Sequence, residues 1–574
     1  MEIRDPDVVR SHNVPAVGAA AEAMRTAGAV FGPPRSVVAI LATAAFITCF
    51  DNNALWHEVS RLTQGREHVW SVSVAFFAML LGTLNILLAV AALRRSLKPV
   101  LIAVLLLSAL LGFFMSEYKI VVDPFMIQSV LETDRREVRD LITPSLVRHV
   151  ALFGVAPSML VALVPLVPLG PSGWGKDMAY RAGLVTASLV ALVLAVYLAY
   201  QDLSVFTQRH RHVRMLMNPG YPIYALVQNI RGMSPQRRSR KALAPAAARR
   251  PHASRDRKTL FVLVVGETAR ADRFALNGYG RETNRYTRAL GVTSFSRVAS
   301  CGTSTAESIP CLFSSLGRAE FSRDRAQGRE NLLELLQRLG VDVRWRENNT
   351  GCKGVCAGIE MERFGAADGG SCTVANGCYD EVLVADLERL AADPAKDHLL
   401  VLHQRGSHGP AYQNNTPAWA KRFSPECTSG QVTECTSAQI DNAYDNTILY
   451  SDWILAKVIE SLRDWADLYD VAMLYVSDHG ESLGEAGIYL HGFPYAIAPE
   501  EQIHIPMLFW ASDGFYESRR ISSACIKEQV DEPLSHDNVF HTIVSVFDVT
   551  TDWYRPALDV FAPCAGAART GAPS

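Results

Sequence analysis

Long apolar segments fill the first third of the chain. Runs of about 20 predominantly apolar residues, each long enough to cross a bilayer as a helix, lie near 36–55, 70–92, 98–116, 147–169 and 180–200. One such run alone would also suit a buried core helix, but five in succession with short polar connectors favour membrane spans. The first run begins too far into the chain for a cleavable signal peptide. The pattern therefore predicts a five-helix transmembrane domain over residues 1–200.

Beyond residue 259 the pattern changes to short apolar strands that alternate with helical stretches. Predicted strands are Leu260 to Val265, Val341 to Trp345, His398 to Leu402, Val471 to Val476 and Ile505 to Trp510, and predicted helices are 330–339, 380–392 and 441–465. This alternation indicates an α/β domain over 259–574, with a mostly parallel sheet covered by helices on both faces.

A linker or bridging segment is predicted between the two domains, over residues 201–258. It contains a Pro-Gly turn at 219–220 and a basic, Ala-rich stretch from Arg237 to Lys258. A solvated run of charge is the simpler interpretation of that stretch, and contact with anionic lipid headgroups is the alternative.

Charge and cysteine content indicate on which side of the membrane the second domain lies. Arg94, Arg95 and Lys98 favour a cytoplasmic loop between spans two and three, although 117–146 is also rich in Arg. An odd number of spans then places 259–574 on the outer side.

Cysteine usage supports that orientation. Of 11 cysteines only Cys49 lies in the apolar region. The other ten fall as near neighbours: Cys301 and Cys311, Cys352 and Cys356, Cys372 and Cys378, Cys427 and Cys435, and Cys525 and Cys564. Five disulfides in an oxidising periplasm are the natural interpretation, with the last pairing the least firmly indicated. Zinc ligation by closely spaced cysteines is the alternative.

Polar side chains follow several predicted strands. Glu267, His403, His408, Asp478 and His479 each come just after one. Ligands of such sheets bind beyond the carboxyl ends of the strands, so we expect these side chains to converge. Taken alone, Glu267 would equally suit a helix N-cap, as would Thr268.

A metal site and a nucleophile are predicted from these positions. Carboxylate and imidazole groups from Glu267, Asp478 and His479 suit Zn²⁺, and a catalytic zinc keeps one position for a reacting group. Thr305, in Cys301-Gly-Thr-Ser-Thr-Ala-Glu-Ser-Ile-Pro-Cys311, would fill that position. A threonine hydroxyl needs a base or a metal to become nucleophilic, zinc can serve, and the same ion would stabilise a transferring phosphoryl group. Thr303 and Ser304 are the local alternatives.

Four further polar side chains are expected around the phosphate: Asn349, Lys353, His408 and His491. Lys353 can neutralise a phosphate oxygen, and either histidine can shuttle the proton of the leaving alcohol. A lone histidine is more often structural, but both histidines lie in Gly-flanked loops.

These motifs together resemble the lipid A phosphoethanolamine transferases of Gram-negative inner membranes, in the alkaline phosphatase/sulfatase superfamily, over nearly the whole chain. The resemblance implies that Glu267, Thr305, Asp478 and His479 hold a catalytic zinc and that Thr305 carries phosphoethanolamine covalently. It also implies that Asn349, Lys353, His408 and His491 contact phosphoethanolamine or a second zinc. Phosphatidylethanolamine would be the donor and a lipid A phosphate the acceptor, and the added amine would lower surface negative charge and confer polymyxin resistance.

The segment around 122–146 is similar to the family's external helix. On one continuous helix Ser129, Thr133 and Glu137 would share a face and, by the resemblance, bind the donor, with Glu137 near its ammonium group. Ser129 departs from the family's usual Asn. A surface helix with incidental polar residues is the alternative.

Other functions remain open at this point. The same chemistry would serve an acceptor such as a core heptose, Kdo or a periplasmic glucan. A superfamily hydrolase, a glycerol-phosphate transferase and a membrane-anchored sensor are further alternatives, although the Cys-x-Pro-x-Arg pattern of sulfatases is absent around Thr305. We expect membrane lipids as partners, no nucleic acid, and a monomeric protein.

Overall fold

The structure is a computed structural model that describes residues 34–64, 69–91, 96–133, 135–164, 171–232, 246–249, 257–365, 370–373, 377–390 and 393–566. The chain divides into two compact units. The first comprises Met1–Asn52, Val59–Ala109 and Ala151–Arg209, and the second comprises Asn53–Glu58, Leu110–Val150 and His210–Ser574. Arg94, Arg95 and most of the basic stretch after Arg237 lie outside the described residues.

Apolar helices confirm four of the five predicted spans in the described part of the chain. Four helices are long and apolar enough to cross a membrane: Trp70–Ala91, Leu97–Glu117, Pro144–Leu163 and Trp174–Leu198. A fifth span is available if the pair Arg35–Phe50 and Asn53–Thr63, bent by 53°, counts as one. Large apolar side chains such as Leu163, Tyr197 and Leu198 are exposed on these helices. Such surfaces suit lipid rather than water.

The predicted continuous helix over 122–146 is wrong. The structure has three short helices instead, α5 (Pro124–Glu132), α6 (Arg135–Leu141) and α7 (Pro144–His149). The first ends because Thr133 has an extended backbone, with ψ 132°, while its hydroxyl donates to the Ser129 carbonyl at 2.7 Å. Thr143 is extended before Pro144, as proline requires of the residue that precedes it. Ser129, Thr133 and Glu137 therefore do not share one helical face.

Further α-helices lie before and after these three. Before α5 lie α1 (Arg35–Phe50), α2 (Asn53–Thr63), α3 (Val69–Ala91) and α4 (Leu97–Glu117). After α7 come a π-helical turn (Val150–Val155), α8 (Ala156–Leu163), α9 (Pro171–Leu198), α10 (Tyr200–Arg209) and α11 (Gly220–Gly232). Beyond residue 259 lie α12 (Thr305–Leu312), α13 (Gly317–Glu320), α14 (Arg323–Gln327), α15 (Leu332–Arg338), α16 (Ser437–Asp464), α17 (Glu500–Ile503), α18 (Asp513–Arg519), α19 (Ser523–Glu528) and α20 (Asp537–Val546).

An eight-stranded sheet forms the centre of the second unit. Its strands are β1 (Lys258–Gly266), β2 (Thr293–Ala299), β3 (Asp342–Glu347), β4 (Glu360–Arg363), β5 (His398–His403), β6 (Tyr469–Ser477), β7 (His504–Ala511) and β8 (Leu534–Ser535). They lie in the order β8-β2-β7-β6-β1-β5-β3-β4. Only β7 runs antiparallel to its neighbours, so the mostly parallel sheet is confirmed.

Both faces of this sheet are covered. Phe261, Leu263 and Val265 of β1 pack in one core with α15 and α20, while Leu260, Val262 and Val264 pack in another with α16. A strand buried on both sides has no polar face to present, so β1 is apolar along its length rather than alternating. The predicted helices over 330–339 and 441–465 are confirmed as α15 and α16.

The predicted helix over 380–392 is wrong in its described part. Two short 3₁₀ turns, Asp380–Leu383 and Leu387–Arg389, take its place. Asp386 between them has a left-handed backbone, with φ 48°, which an α-helix does not accommodate. The fully buried Asp380 carboxylate accepts hydrogen bonds from the backbone N–H groups of Arg405 and Gly406, and these bonds anchor the turn to the neighbouring loop.

All five predicted disulfides are present. They join Cys301 to Cys311, Cys352 to Cys356, Cys372 to Cys378, Cys427 to Cys435 and Cys525 to Cys564. Cys49 is the free cysteine. The zinc alternative for Cys352 and Cys356 is therefore wrong, because a bonded sulfur is not a thiolate ligand.

Thiol titration tests this cysteine pattern. Native protein in mild detergent should react with a thiol reagent at one position, Cys49, and Cys49→Ser should abolish the reaction. After reduction and denaturation all 11 cysteines should react. Several reactive thiols in the native protein would contradict the disulfide assignment.

Candidate active site

Three polar side chains meet where two neighbouring strands end. Glu267 follows β1, and Asp478 and His479 follow β6. The two strands are parallel, with Gly266 opposite Ser477, so the residues after them emerge at the same level. Glycine is needed at 266, because a Cβ there would lie 2.4 Å from the Tyr475 hydroxyl. Strand register thus produces the convergence that the sequence predicts.

The atoms of this group are close enough to share a cation. One ligand atom from each of Glu267, Asp478 and His479 lies within 4.8 Å of the others, and all three residues are buried. His479 Nε2 lies 3.4 Å from Glu267 Oε1 and 3.3 Å from Asp478 Oδ2. The second such group in the described part of the chain contains Cys301 and Cys311, whose sulfurs are bonded to each other.

The hydrogen bonds around the group leave acceptor atoms facing inward. Asp478 Oδ1 accepts from the N–H groups of Thr268 at 3.2 Å and His479 at 2.7 Å. Asp478 Oδ2 is buried and accepts no hydrogen bond from the described residues. His479 Nδ1 lies 2.9 Å from the Gly480 carbonyl, so it carries the proton and Nε2 keeps its lone pair. A carboxylate oxygen and a bare imidazole nitrogen, both buried, fit a cation such as Zn²⁺.

Burial also shifts the ionisation of these groups. It lowers the pKa of His479 well below its ordinary value, and nearby His491 adds to the effect. Burial raises the pKa of Asp478, against the hydrogen bonds from Thr268 and His479. Carboxylates in such a dry site are costly unless positive charge compensates them. The donor set therefore calls for a cation.

Thr305 presents its hydroxyl to this group. Thr305 Oγ1 lies 3.3 and 3.2 Å from the two Glu267 carboxylate oxygens and 3.5 Å from His479 Nε2. It is the first residue of α12, where unpaired N–H groups and the helix dipole favour negative charge. The Cys301–Cys311 disulfide joins the loop before this helix to its last turn.

The neighbouring hydroxyls have different surroundings. Thr303 Oγ1 donates to the Phe493 carbonyl. Ser304, the N-cap of α12, has a buried hydroxyl without a hydrogen bond among the described residues. Neither hydroxyl has a described contact with Glu267 or His479, so the geometry favours Thr305 over both.

Two further predicted histidines lie beside the group. The His491 ring centre is 4.4 Å from that of His479 and 5.3 Å from that of His408. His491 Nδ1 lies 2.8 Å from Glu481 Oε2, and the Tyr412 hydroxyl donates to Glu481 Oε1 at 2.8 Å. Glu481 is buried, and its contact with Nδ1 fixes the orientation of the His491 ring.

Asn349 and Lys353 have different neighbours. Asn349 Nδ2 donates to Glu267 Oε2 at 2.5 Å, which connects it directly to the predicted ligands. Lys353 Nζ donates to Thr350 Oγ1 at 2.9 Å and lies 3.0 Å from Glu132 Oε2 on α5. Arg323 lies 3.4 Å from the other Glu132 oxygen, so two cations share this carboxylate. No described contact joins Lys353 to Thr305 or to the three acceptor residues.

The predicted donor-binding residues Ser129, Thr133 and Glu137 lie on or after α5, and they have no described contact with the predicted site. Ser129 and Thr133 bond to each other, and no described contact joins either one to Thr305. The Glu137 side chain lies outside the described residues. Met126 of α5 does approach the loop after His491, since a Cβ at Gly492 would lie 2.4 Å from Met126 Cε. Gly492 also has a left-handed backbone, with φ +91°, so glycine is required there.

Three residues that contact the predicted ones are not among the predicted site residues: Glu132, Glu347 and Glu481. His403, which was expected among the converging side chains, does lie at this edge, with Nε2 3.3 Å from Asn349 Nδ2. Glu481 stands within the motif Ser477-Asp-His-Gly-Glu481. For Glu347 the available signal was its position two residues after the predicted strand Val341 to Trp345, and the structure extends that strand to Glu347, opposite His403.

Comparison with known proteins agrees with this architecture. A family model for sulfatases matches residues 259–549, and a model for phosphoethanolamine transferase EptA/EptB matches residues 80–233. Phosphatidylethanolamine transferase Mcr-1 of Escherichia coli is 37% identical over 531 residues, which cover 90% of this chain and 95% of that protein. Phosphoethanolamine transferase EptA of Escherichia coli K12 is 33% identical over 539 residues, covering 93% and 98%.

A solved structure shows the same fold. The integral membrane protein lipooligosaccharide phosphoethanolamine transferase A (EptA) from Neisseria meningitidis superimposes with a TM-score of 0.87 at 33% identity, covering 92% of this chain and 98% of that one. Sequence identity, the order of the two matched regions and the three-dimensional fold thus agree along nearly the whole chain. The chain belongs to the phosphoethanolamine transferase family and is an enzyme of that class.

Proposed function

We propose that this enzyme transfers phosphoethanolamine from phosphatidylethanolamine to a phosphate of lipid A, through a covalent intermediate on Thr305. The observation that carries the proposal is the position of the Thr305 hydroxyl, 3.2 to 3.5 Å from Glu267 and His479 at the start of a helix. The product would carry an added primary amine. That amine lowers the negative charge of the surface and with it the binding of polymyxins and other cationic peptides.

Glu267, Asp478, His479 and Thr305 would hold one catalytic zinc, with His408 and His491 as the expected position of a second. When bound, the metal would lower the pKa of the Thr305 hydroxyl and stabilise charge on the phosphoryl oxygens. The inward-facing Asp478 Oδ2 and His479 Nε2 support this assignment.

The protein's own groups account for the proton movements. Thr305 Oγ1 attacks phosphorus while its proton passes to His491 or His408, and the bond from phosphorus to the diacylglycerol oxygen breaks. His491 or His408 gives that oxygen its proton. The Glu481 contact holds the proton of His491 on Nδ1 and directs Nε2 elsewhere. In the second half-reaction an oxygen of a singly protonated lipid A phosphate attacks phosphorus, and the bond from phosphorus to Thr305 Oγ1 breaks. The proton of the attacking phosphate passes through the same histidine to Thr305 Oγ1.

The remaining predicted residues would bind the donor. Asn349 and Lys353 would lie against the phosphate, and Lys353 would exchange part of its contact with Glu132 for a phosphate oxygen. Ser129, Thr133 and Glu137 would contact the headgroup, with Glu137 near the ammonium group.

We further propose that the chain is a monomer in the Gram-negative inner membrane. Residues 1–200 would form the membrane domain and 201–258 the linker, with 259–574 in the periplasm. The five disulfides favour that compartment.

Replacement of the nucleophile gives a first test. Thr305→Ala should lower transfer by at least about a thousandfold, since no other hydroxyl takes its place. Intact mass should show a phosphoethanolamine adduct on wild-type enzyme given donor alone, and none on the variant. Thr303→Ala, two residues away, should keep the adduct. Substantial turnover by Thr305→Ala would contradict the assignment.

Metal content gives a second test. Glu267→Ala should lose bound zinc, because it removes one of three buried ligands. Elemental analysis after dialysis against a weak chelator would measure the loss. Glu360→Ala, a matched change at an exposed glutamate on edge strand β4, should retain the wild-type content. Full zinc content in Glu267→Ala would contradict the site.

The acceptor is tested by mass spectrometry of lipid A and core oligosaccharide from Gram-negative cells that express the chain. We expect one added phosphoethanolamine on lipid A, absent from cells that express Thr305→Ala. Unmodified lipid A beside a modified core sugar would contradict lipid A as the acceptor, while the proposed transfer of phosphoethanolamine would stand. Consumption of donor with neither product would indicate a hydrolase.

A further inference from the structure

Strands β3 and β5 carry a histidine and acid pair at each of their two ends. At their start His398 Nδ1 lies 3.0 Å from Asp342 Oδ2, and at their end His403 Nδ1 lies 3.0 Å from Glu347 Oε2. Within each pair the acid and the histidine are register partners on the two parallel strands. Only the second pair lies at the edge of the sheet where the active-site residues gather, and the proposed mechanism does not use it.

Donors surround the carboxylate of Glu347. Oε2 accepts from the Trp345 indole N–H at 2.8 Å and from His403 Nδ1, while Oε1 accepts from the backbone N–H of Asn349 at 2.7 Å. Burial acts to raise the pKa of Glu347, but His403 and these hydrogen bonds hold the pKa below its ordinary value. A carboxylate oxygen only accepts, so the proton of His403 lies on Nδ1 and the Nε2 lone pair faces the other way.

That lone pair faces the side-chain amide of Asn349. His403 Nε2 lies 3.3 Å from Asn349 Nδ2, which also lies 3.0 Å from the Gln404 carbonyl and 2.5 Å from Glu267 Oε2. All three neighbours are acceptors, so the group they surround must be the NH₂ of the amide. On its other side Asn349 Oδ1 accepts from the Thr350 N–H at 2.7 Å. A flipped amide would place its oxygen against three acceptors.

We propose that Glu347 and His403 are positioning residues that hold the Asn349 amide with its N–H directed at Glu267, and thereby hold the Glu267 carboxylate in the orientation that binds the cation. The inference rests on the proposed function, in which Glu267 is a metal ligand. It assigns to His403 a role that reaches the metal through two side chains without touching it. Groups that hydrogen-bond a metal ligand typically change metal affinity by about 10- to 100-fold when removed.

The pair at the opposite end of the same strands provides a matched control. His403→Phe keeps an aromatic ring beside Trp345, whose ring centre is 5.4 Å away, but removes both nitrogens. His398→Phe makes the same change at a histidine that is equally buried. Zinc affinity of the full-length protein in detergent would be measured by competition with a chromophoric chelator, and thermal stability alongside it.

We expect His403→Phe to weaken zinc binding by about 10-fold or more and His398→Phe to change it by less than about twofold, even if both lower the melting temperature. Equal zinc affinities in the two variants would overturn the proposal. Glu347→Gln, which keeps the side-chain volume, is the second variant if His403→Phe does not fold. Its amide would offer N–H groups where donors already point, and wild-type zinc affinity in it would likewise overturn the proposal.

A double-mutant cycle tests the route of the effect. Because His403 acts through Asn349, His403→Phe should change zinc affinity much less in an Asn349→Ala background than in wild type. Additive effects would show that His403 acts on the site by another path and would contradict the proposal.

The Glu267→Ala variant separates this inference from the function on which it rests. If Glu267→Ala keeps its zinc, the proposed metal site is wrong. If Glu267→Ala loses zinc while His403→Phe keeps wild-type affinity, only the positioning role is wrong.

Discussion

The burial of two carboxylates and an imidazole at one edge of the sheet is the constraint on which the active site depends. Glu267, Asp478 and His479 are fully buried, and their acceptor atoms lie within 4.8 Å of one another. Without compensation such a group is costly, because each charge has lost its water. The fold tolerates it since backbone N–H groups satisfy Asp478 Oδ1 and the side-chain amide of Asn349 satisfies one oxygen of Glu267. Asp478 Oδ2 and the lone pair of His479 Nε2 point into the space between the three residues, and a cation there would compensate them.

The surrounding scaffold keeps this group rigid. Parallel register between β1 and β6 sets the level of Glu267, Asp478 and His479, and strands β3 and β5 end beside them with Glu347 and His403. Helix α12 begins at Thr305, and a disulfide joins the loop before that helix to its last turn. Because side chains on strand ends and helix starts have few alternative positions, such a site is preorganised for its ligands.

Acid–base pairs also surround the proposed metal ligands. Glu481 orients His491, Glu347 orients His403, and Glu132 holds Lys353 together with Arg323. In each of these contacts a carboxylate holds a nitrogen-bearing side chain that is proposed to act on the phosphoryl group or on a metal ligand. For the two histidines the physical reason is that a buried imidazole keeps one orientation and one tautomer when its Nδ1 is hydrogen-bonded.

The sequence by itself determined the elements whose signal is local. Five apolar runs identified the membrane helices, continuous apolar strands such as β1 identified a sheet covered on both faces, and cysteine spacing matched all five disulfides. Polar residues directly after strands, such as Glu267 and Asp478, were identified for the same reason, since parallel strands end at one edge.

Tertiary structure decided what depends on residues distant in sequence. In place of the helix predicted over 122–146, the structure has short helices interrupted at Thr133 and before Pro144. In place of the helix predicted over 380–392, it has two turns separated by Asp386. At these residues contacts and backbone angles override periodicity. The pairing of Lys353 with Glu132, and of Asn349 with both Glu267 and His403, joins segments between about 50 and 220 residues apart, whose proximity follows from packing and register that no local pattern reveals.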